Sequence, residues 1–146
     1  MKFLLDNNLP PKLARAIHQL VEGEGHSVVA LRDRFSADAV DEEWIRLLDR
    51  EGDWVVISRD RYSKRMTSGA VERELLRGSS LVVFVLDKGW RAFHDWELAW
   101  RLIRWWPTLQ QTAMTIEGGV GYRVPKDYRA HLKQKLQLLW SHSRSR

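Results

Sequence analysis

Cysteine is absent from the 146 residues. That excludes disulfides and every zinc site built on thiolates, and it fits a reducing compartment. No apolar stretch approaches the ~20 residues of a membrane-crossing helix. No basic segment followed by a long apolar run opens the chain, so a cytoplasmic location without membrane attachment is expected. A Gly-rich phosphate loop is missing too, because Gly118–Gly121 comes late and follows no strand–helix pattern. The five histidines, His18, His26, His94, His131 and His142, are scattered without ligand spacing, which argues against zinc or imidazole catalysis. Internal repetition is limited to RDRF at 32–35 and RDRY at 59–62, too short for a duplication.

What the chain does have is bulk and positive charge. Its length suits one domain with a core that needs no staples, expected over residues 1–140 with a basic tail at 141–146. The net charge of +5 attracts polyanions, of which nucleic acid is the commonest inside a cell. Eight tryptophans ask for a packing role or a partner.

Met1–Leu5 reads as a buried strand that stops at Asp6, and Pro10 and Pro11 then open a helix with Leu13, Ala14, Ile17, Leu20 and Val21 on one side. Residues 26–31 read as a second strand, 32–39 as a loop, and Asp41 opens a helix ending at Gly52. Trp54–Ser58 is an uninterrupted apolar strand of the kind covered on both faces. Residues 70–77 form a short helix and 81–86 a fourth strand. A further helix is expected from Phe93 to Trp106, with Phe93, Trp96, Trp100 and Ile103 as the main stripe, read first as core, and Pro107 as its stop. Leu98, Ala99, Leu102 and Trp105 make it apolar nearly all round, so either two faces are buried or one packs on a partner. Residues 112–116 and 122–125 read as a hairpin or a loop, and 127–140 as a basic amphipathic helix. Strands alternating with helices define an α/β fold: a mostly parallel sheet with helices on both faces.

In such a sheet ligands bind beyond the carboxyl ends of the strands. Asp6 and Asp60 both follow strands, and Asp41 opens the helix that enters the third, so all three reach one edge. An Asp in such a place also serves as a turn former or helix cap. Crowded carboxylates raise one another's pKa unless a cation lies between them. Mg²⁺ or Mn²⁺ suits oxygen ligands, and such an ion supports phosphodiester hydrolysis.

The segments MKFLLDNNLPPKLARAI, GHSVVALRDRF, DEEWI and WVVISRDR resemble the PIN-like nucleases. They are most similar to compact members with a strand–Asp–Asn–Leu–Pro opening, among them VapC-type toxins of toxin–antitoxin pairs. The resemblance implies a three-layer PIN-like sandwich and metal-dependent cleavage of RNA. Asp6, Asp41 and Asp60 match the metal-binding and catalytic aspartates. Longer members carry a further acidic residue in an inserted region that this chain lacks; Glu42 is the preferred substitute, with Asp33, Asp38 and Asp87 as the other candidates. Arg59, Arg61, Lys64 and Arg65, with Arg32 and Arg34 along the rim, are the candidate RNA contacts. The expected partners are RNA and an antitoxin protein or a second copy of the chain. The competing class is a non-catalytic PIN-like module that binds RNA or a protein.

Overall fold

The computed structural model describes residues 1–66, 68–129 and 136–142. Four apolar runs form parallel strands: β1 (Lys2–Leu5), β2 (Ser27–Ala30), β3 (Trp54–Ser58) and β4 (Val82–Val85). β5 (Val120–Arg123) extends the sheet in parallel, β6 (Gln137–Trp140) closes its edge antiparallel, and the order is β2-β1-β3-β4-β5-β6. From β1 the chain moves outward to β2, then returns past β1 to β3. Connections therefore leave β1 and β3 in opposite directions, and a crevice opens beyond their carboxyl ends. Leu5 lies opposite Ile57, which puts Asp6 and Ser58 side by side at its mouth.

The helices are α1 (Pro11–Val21), α2 (Leu31–Arg34), α3 (Asp41–Glu51), α4 (Glu72–Arg77) and α5 (Asp95–Thr115). Alternation along each strand divides the core in two. Phe3, Leu5, Val55, Ile57, Val82 and Phe84 pack with Leu13, Ala14 and Ile17 of α1 and Leu98, Leu102 and Leu109 of α5. Leu4, Val56, Val83 and Val85 pack with Trp44, Ile45 and Leu48 of α3 and Leu76 of α4. Cover on both faces is the reason the strands read as unbroken apolar runs. This is the expected α/β three-layer sandwich.

Three sequence expectations change. α5 does not stop at Pro107 but continues through Thr115, so residues 112–115 are helical and Phe93 lies before the helix. A proline inside a helix costs about 3 kcal/mol. Beyond it Leu109 and Ala113 are buried, and a buried leucine alone contributes about 1.5–3 kcal/mol, which offsets the lost hydrogen bond. The buried stripe of α5 is also a different one: Leu98, Leu102, Trp105, Trp106, Leu109 and Ala113 face the sheet, and Trp96, Trp100 and Ile103 are exposed. Finally, 137–140 is strand rather than helix, while 130–135 and 143–146 lie outside the described residues. A smaller difference is that Leu31–Arg34, expected in a loop, forms a helical turn.

The buried Trp140 ring explains why β6 docks where it does. It lies over Gly121, where a Cβ atom would come within 2.3 Å of the ring. Gly121→Ala should therefore lower stability by about 1–3 kcal/mol through overpacking, read as a shift in the denaturant midpoint with an unchanged slope.

Candidate metal centre at the carboxyl edge of the sheet

Asp6 leaves β1 with its amide bonded to the Ile57 carbonyl at 2.9 Å, so its side chain is fixed by the sheet itself. The carboxylate is 5% exposed. Oδ1 accepts the Asn7 amide at 2.6 Å, and Oδ2 accepts the hydroxyls of Ser58, at 2.8 Å, and Tyr62. Burial raises the Asp6 pKa; the bonds from Tyr62, Asn7 and Ser58 oppose that rise, and the Asp41 charge adds to it. Tyr62, fully buried beside the same carboxylate, is held neutral far above the ordinary phenol range.

Ser58 links this anchor to the next residues. Its one proton goes to Asp6, while its oxygen accepts the Asn8 amide at 3.1 Å and the Asp60 backbone N–H at 2.9 Å. The hydroxyl's hydrogen-bonding capacity is thereby filled. Asp60 Oδ1 in turn accepts the Tyr62 amide at 2.8 Å, which stabilises Tyr62 in a positive-φ turn at 54°. Replacing Asp6 by asparagine points an amide at groups that already donate. Asp6→Asn should cost about 1–3 kcal/mol of stability, measured by urea unfolding, and loosen the Ser58–Asp60 turn.

The other two carboxylates arrive on helix starts. Asp41 is the first residue of α3 and accepts the Trp44 indole N–H at 2.9 Å. Glu72 is the first residue of α4. The polar stretch before it folds back on itself: Met66 donates to the Ala70 carbonyl at 2.7 Å and Glu72 to the Lys64 carbonyl at 2.9 Å. The Lys64 amide donates to Glu72 Oε1 at 3.2 Å. Ligand oxygens of Asp41, Asp60 and Glu72 lie within 4.8 Å of one another.

Glu72 carries the strain of this crowding. It is 3% exposed, its Oε2 has no hydrogen-bond partner, and its pKa is pushed up to about 8. Burial is the largest cause, followed by the Asp41 carboxyl and the Asp41 and Asp60 charges. An orphaned buried oxygen among three carboxylates, with no sulfur or imidazole in the group, fits a hard divalent cation.

Asp41 and Asp60 are thus brought together at the expected edge, with Asp6 directly behind Ser58. Glu42 is turned to Arg46 at 2.9 Å and does not join the group. The other candidate acids are engaged elsewhere: Asp33 pairs with Arg15, Asp38 accepts Ser36, and the buried Asp87 accepts both Arg61 and Arg123. Glu72 was not anticipated. Its signal was the one that selected Asp41, an acidic residue opening the helix that enters the next strand. Reading the helix from residue 70 hid it.

The basic candidates separate in the same way. Arg32 bonds Asn7 at 2.5 Å, and Arg59 lies at the crevice with one amine on the Phe93 carbonyl at 3.0 Å and its buried Nε unpartnered. Lys64 and Arg65 are exposed on the loop that carries Glu72. Arg61 is bound to Asp87 at 2.7 Å. Arg34 lies at the opposite end of β3, against Glu51 and the Trp54 ring.

Fold and site together define a class: a doubly wound α/β protein with an acidic cation cluster at its switch point. Residues 1–88 match the family model described as PIN like domain, and the chain belongs to that family. The matched stretch holds every residue of the acidic cluster. Comparisons with curated proteins and with solved structures found no match. Nuclease-type function with acidic metal-binding residues is common among PIN-like domains.

Proposed function

We propose that this protein is an Mg²⁺- or Mn²⁺-dependent endoribonuclease and the toxin half of a toxin–antitoxin pair. The observation that carries the catalytic part is the convergence of Asp41, Asp60 and Glu72 around an unpartnered buried oxygen. These three side chains would hold the ion. Asp6 borders them, and its Oδ1, which accepts the Asn7 amide, keeps a lone pair for the ion or for a water on it. When bound, the ion would neutralise negative charge on a phosphate oxygen and lower the pKa of an attacking water.

The chain's own part is positioning. Ser58 and Tyr62 fix Asp6, and through the Ser58 hydroxyl they fix the Asp60 turn. Arg59, with a free Nε in the crevice, and Arg32, Lys64 and Arg65 around it hold the phosphates of the strand. Such contacts are independent of base identity and make binding weaken steeply with salt. RNA as substrate rests on the basic rim and on the kinship with PIN-like nucleases. The toxin role and the antitoxin partner rest on the resemblance to VapC-type toxins.

The test is a labelled single-stranded RNA incubated with the chelated protein and then with Mn²⁺. Cleavage should appear with the metal, vanish with chelator and fall as salt rises. Calorimetric titration with Mn²⁺ separates the alternatives: no carboxylate-dependent binding would leave a non-catalytic PIN-like module. Binding without RNA cleavage, but with cleavage of single-stranded DNA, would move the substrate and keep the site.

A further inference from the structure

α5 has two apolar faces and the monomer uses one. On the side away from the sheet Trp96 is 87% exposed and Trp100 55% exposed, with Ile103 and Met114 continuing the line and Leu20 of α1 beside it. The other six tryptophans are buried. A contiguous patch of this kind marks an interface. We propose that its occupant is a second copy of the same chain, seated across a two-fold axis beside Ile103.

Shape supports a second copy. C-terminal to Ile103 a groove of about 610 Å³ runs between α1 and α5, lined by Ile17, Leu20, Trp106, Pro107 and Met114. N-terminal to Ile103 stand the projecting rings of Trp96 and Trp100. Two antiparallel copies of α5 crossing at Ile103 place Trp100 over Pro107 and Trp96 over Gln110–Gln111 of the other copy. Each molecule then offers a knob and a groove at matching distances from the axis, as an isologous contact requires.

Charge points the same way. Most ionic side chains bordering the patch are engaged within the monomer: Lys12 with Asp95 at 3.4 Å, Arg101 with both Glu97 and Asp127, and Glu24, at the rim of the groove, with the Gln110 amide at 3.5 Å. Arg104 lies over the Tyr128 ring at 4.7 Å. A strongly charged partner segment has little to meet here, whereas a second neutral apolar face does. Area agrees: the five exposed side chains offer on the order of 600 Å², and with the groove walls the contact approaches the ~800 Å² per partner of a standard stable interface. The aromatic anchors sit near its centre, where binding energy concentrates.

The test uses the full 146-residue chain. Sedimentation should show a dimer at concentrations of about 1–100 µM. Ile103→Glu and Ile103→Lys should each be monomeric, with unchanged helical circular dichroism, because like charges then meet at the axis. Mixed together they should dimerise again, which only a two-fold contact at this residue produces. Trp100→Ala should weaken the dimer at least about 30-fold. Since the chain has no cysteine, Ile103→Cys should also cross-link on mild oxidation, while Arg50→Cys on α3 should not. A wild-type chain that stays monomeric across this range, whether or not another protein binds the patch, overturns the proposal. So does a dimer that persists in Ile103→Glu.

Discussion

Glu72→Gln should reduce RNA cleavage about 10³-fold or more while leaving the metal-free protein at least as stable as the parent. The two halves of this expectation come from one arrangement. In the absence of a cation Glu72 is a buried carboxyl pressed against Asp41 and Asp60, with Oε2 unpartnered. Glutamine keeps the shape and the bond that Oε1 accepts from the Lys64 amide, and it puts a permanently neutral group where the carboxyl must hold a proton to be tolerated. The same change removes an anionic ligand from a site built of oxygen donors, and losses of two to several orders of magnitude are usual when such a group is taken away. Asp60→Asn should behave alike in activity. It keeps an oxygen to accept the Tyr62 amide, so its turn should survive. Steady-state cleavage assays and thermal melts on the same preparations check both halves. A Glu72→Gln protein that cleaves as fast as the parent removes the cluster from the chemistry. One that loses activity because it has unfolded shows that the carboxylate held the fold instead.

Metal-free protein should lose stability as pH rises, against the usual trend for a carboxylate. Glu72 has an ordinary pKa of 4.5 when unfolded and about 8 when folded. Between those values the folded state binds more protons than the unfolded one, so unfolding free energy falls with pH. The contribution is fully present below about pH 4.5 and is lost as pH passes through 8. Asp6, whose folded pKa is also raised, acts with the same sign. For so crowded a group the total should be about 2–4 kcal/mol. Chemical denaturation in chelator at steps from pH 5 to pH 8.5 measures the slope. Saturating Mn²⁺ should abolish it, because the cation replaces the proton, and binding should release protons in a calorimeter. A flat stability profile in chelator would mean that the three carboxylates are farther apart in solution or already share a counter-ion.

Much of this centre could be read from residue order. Apolar runs bounded by Asp, Gly or Pro marked β1, β3 and β4, and parallel pairing then obliged Asp6 and Asp60 to share an edge. Asp41 followed because a crossover helix starts where the preceding strand ends. What escaped has physical causes. Glu72 carries the same signal as Asp41, but the helix start that exposes it is set by a loop doubling back through backbone bonds, which residue types alone place at 70 rather than 72. Helix α5 passes Pro107 because burial on its far side outweighs a local penalty. β6 was hidden because its spacing of apolar residues serves a helix as well as a strand, and the Gly121–Trp140 contact that decides between them is distant in sequence.

The back-folded loop before Glu72 has one consequence for how the protein comes into being. The acids enter the growing chain at positions 6, 41, 60 and 72, and the last is held in place only when the loop closes and β4 seats α4 beneath it. A ribosome-bound fragment ending near β3 therefore possesses a half-made centre with nothing to complete it. The cation site is therefore completed only once β4 has emerged, past the middle of the chain, and it cannot form on any shorter nascent fragment.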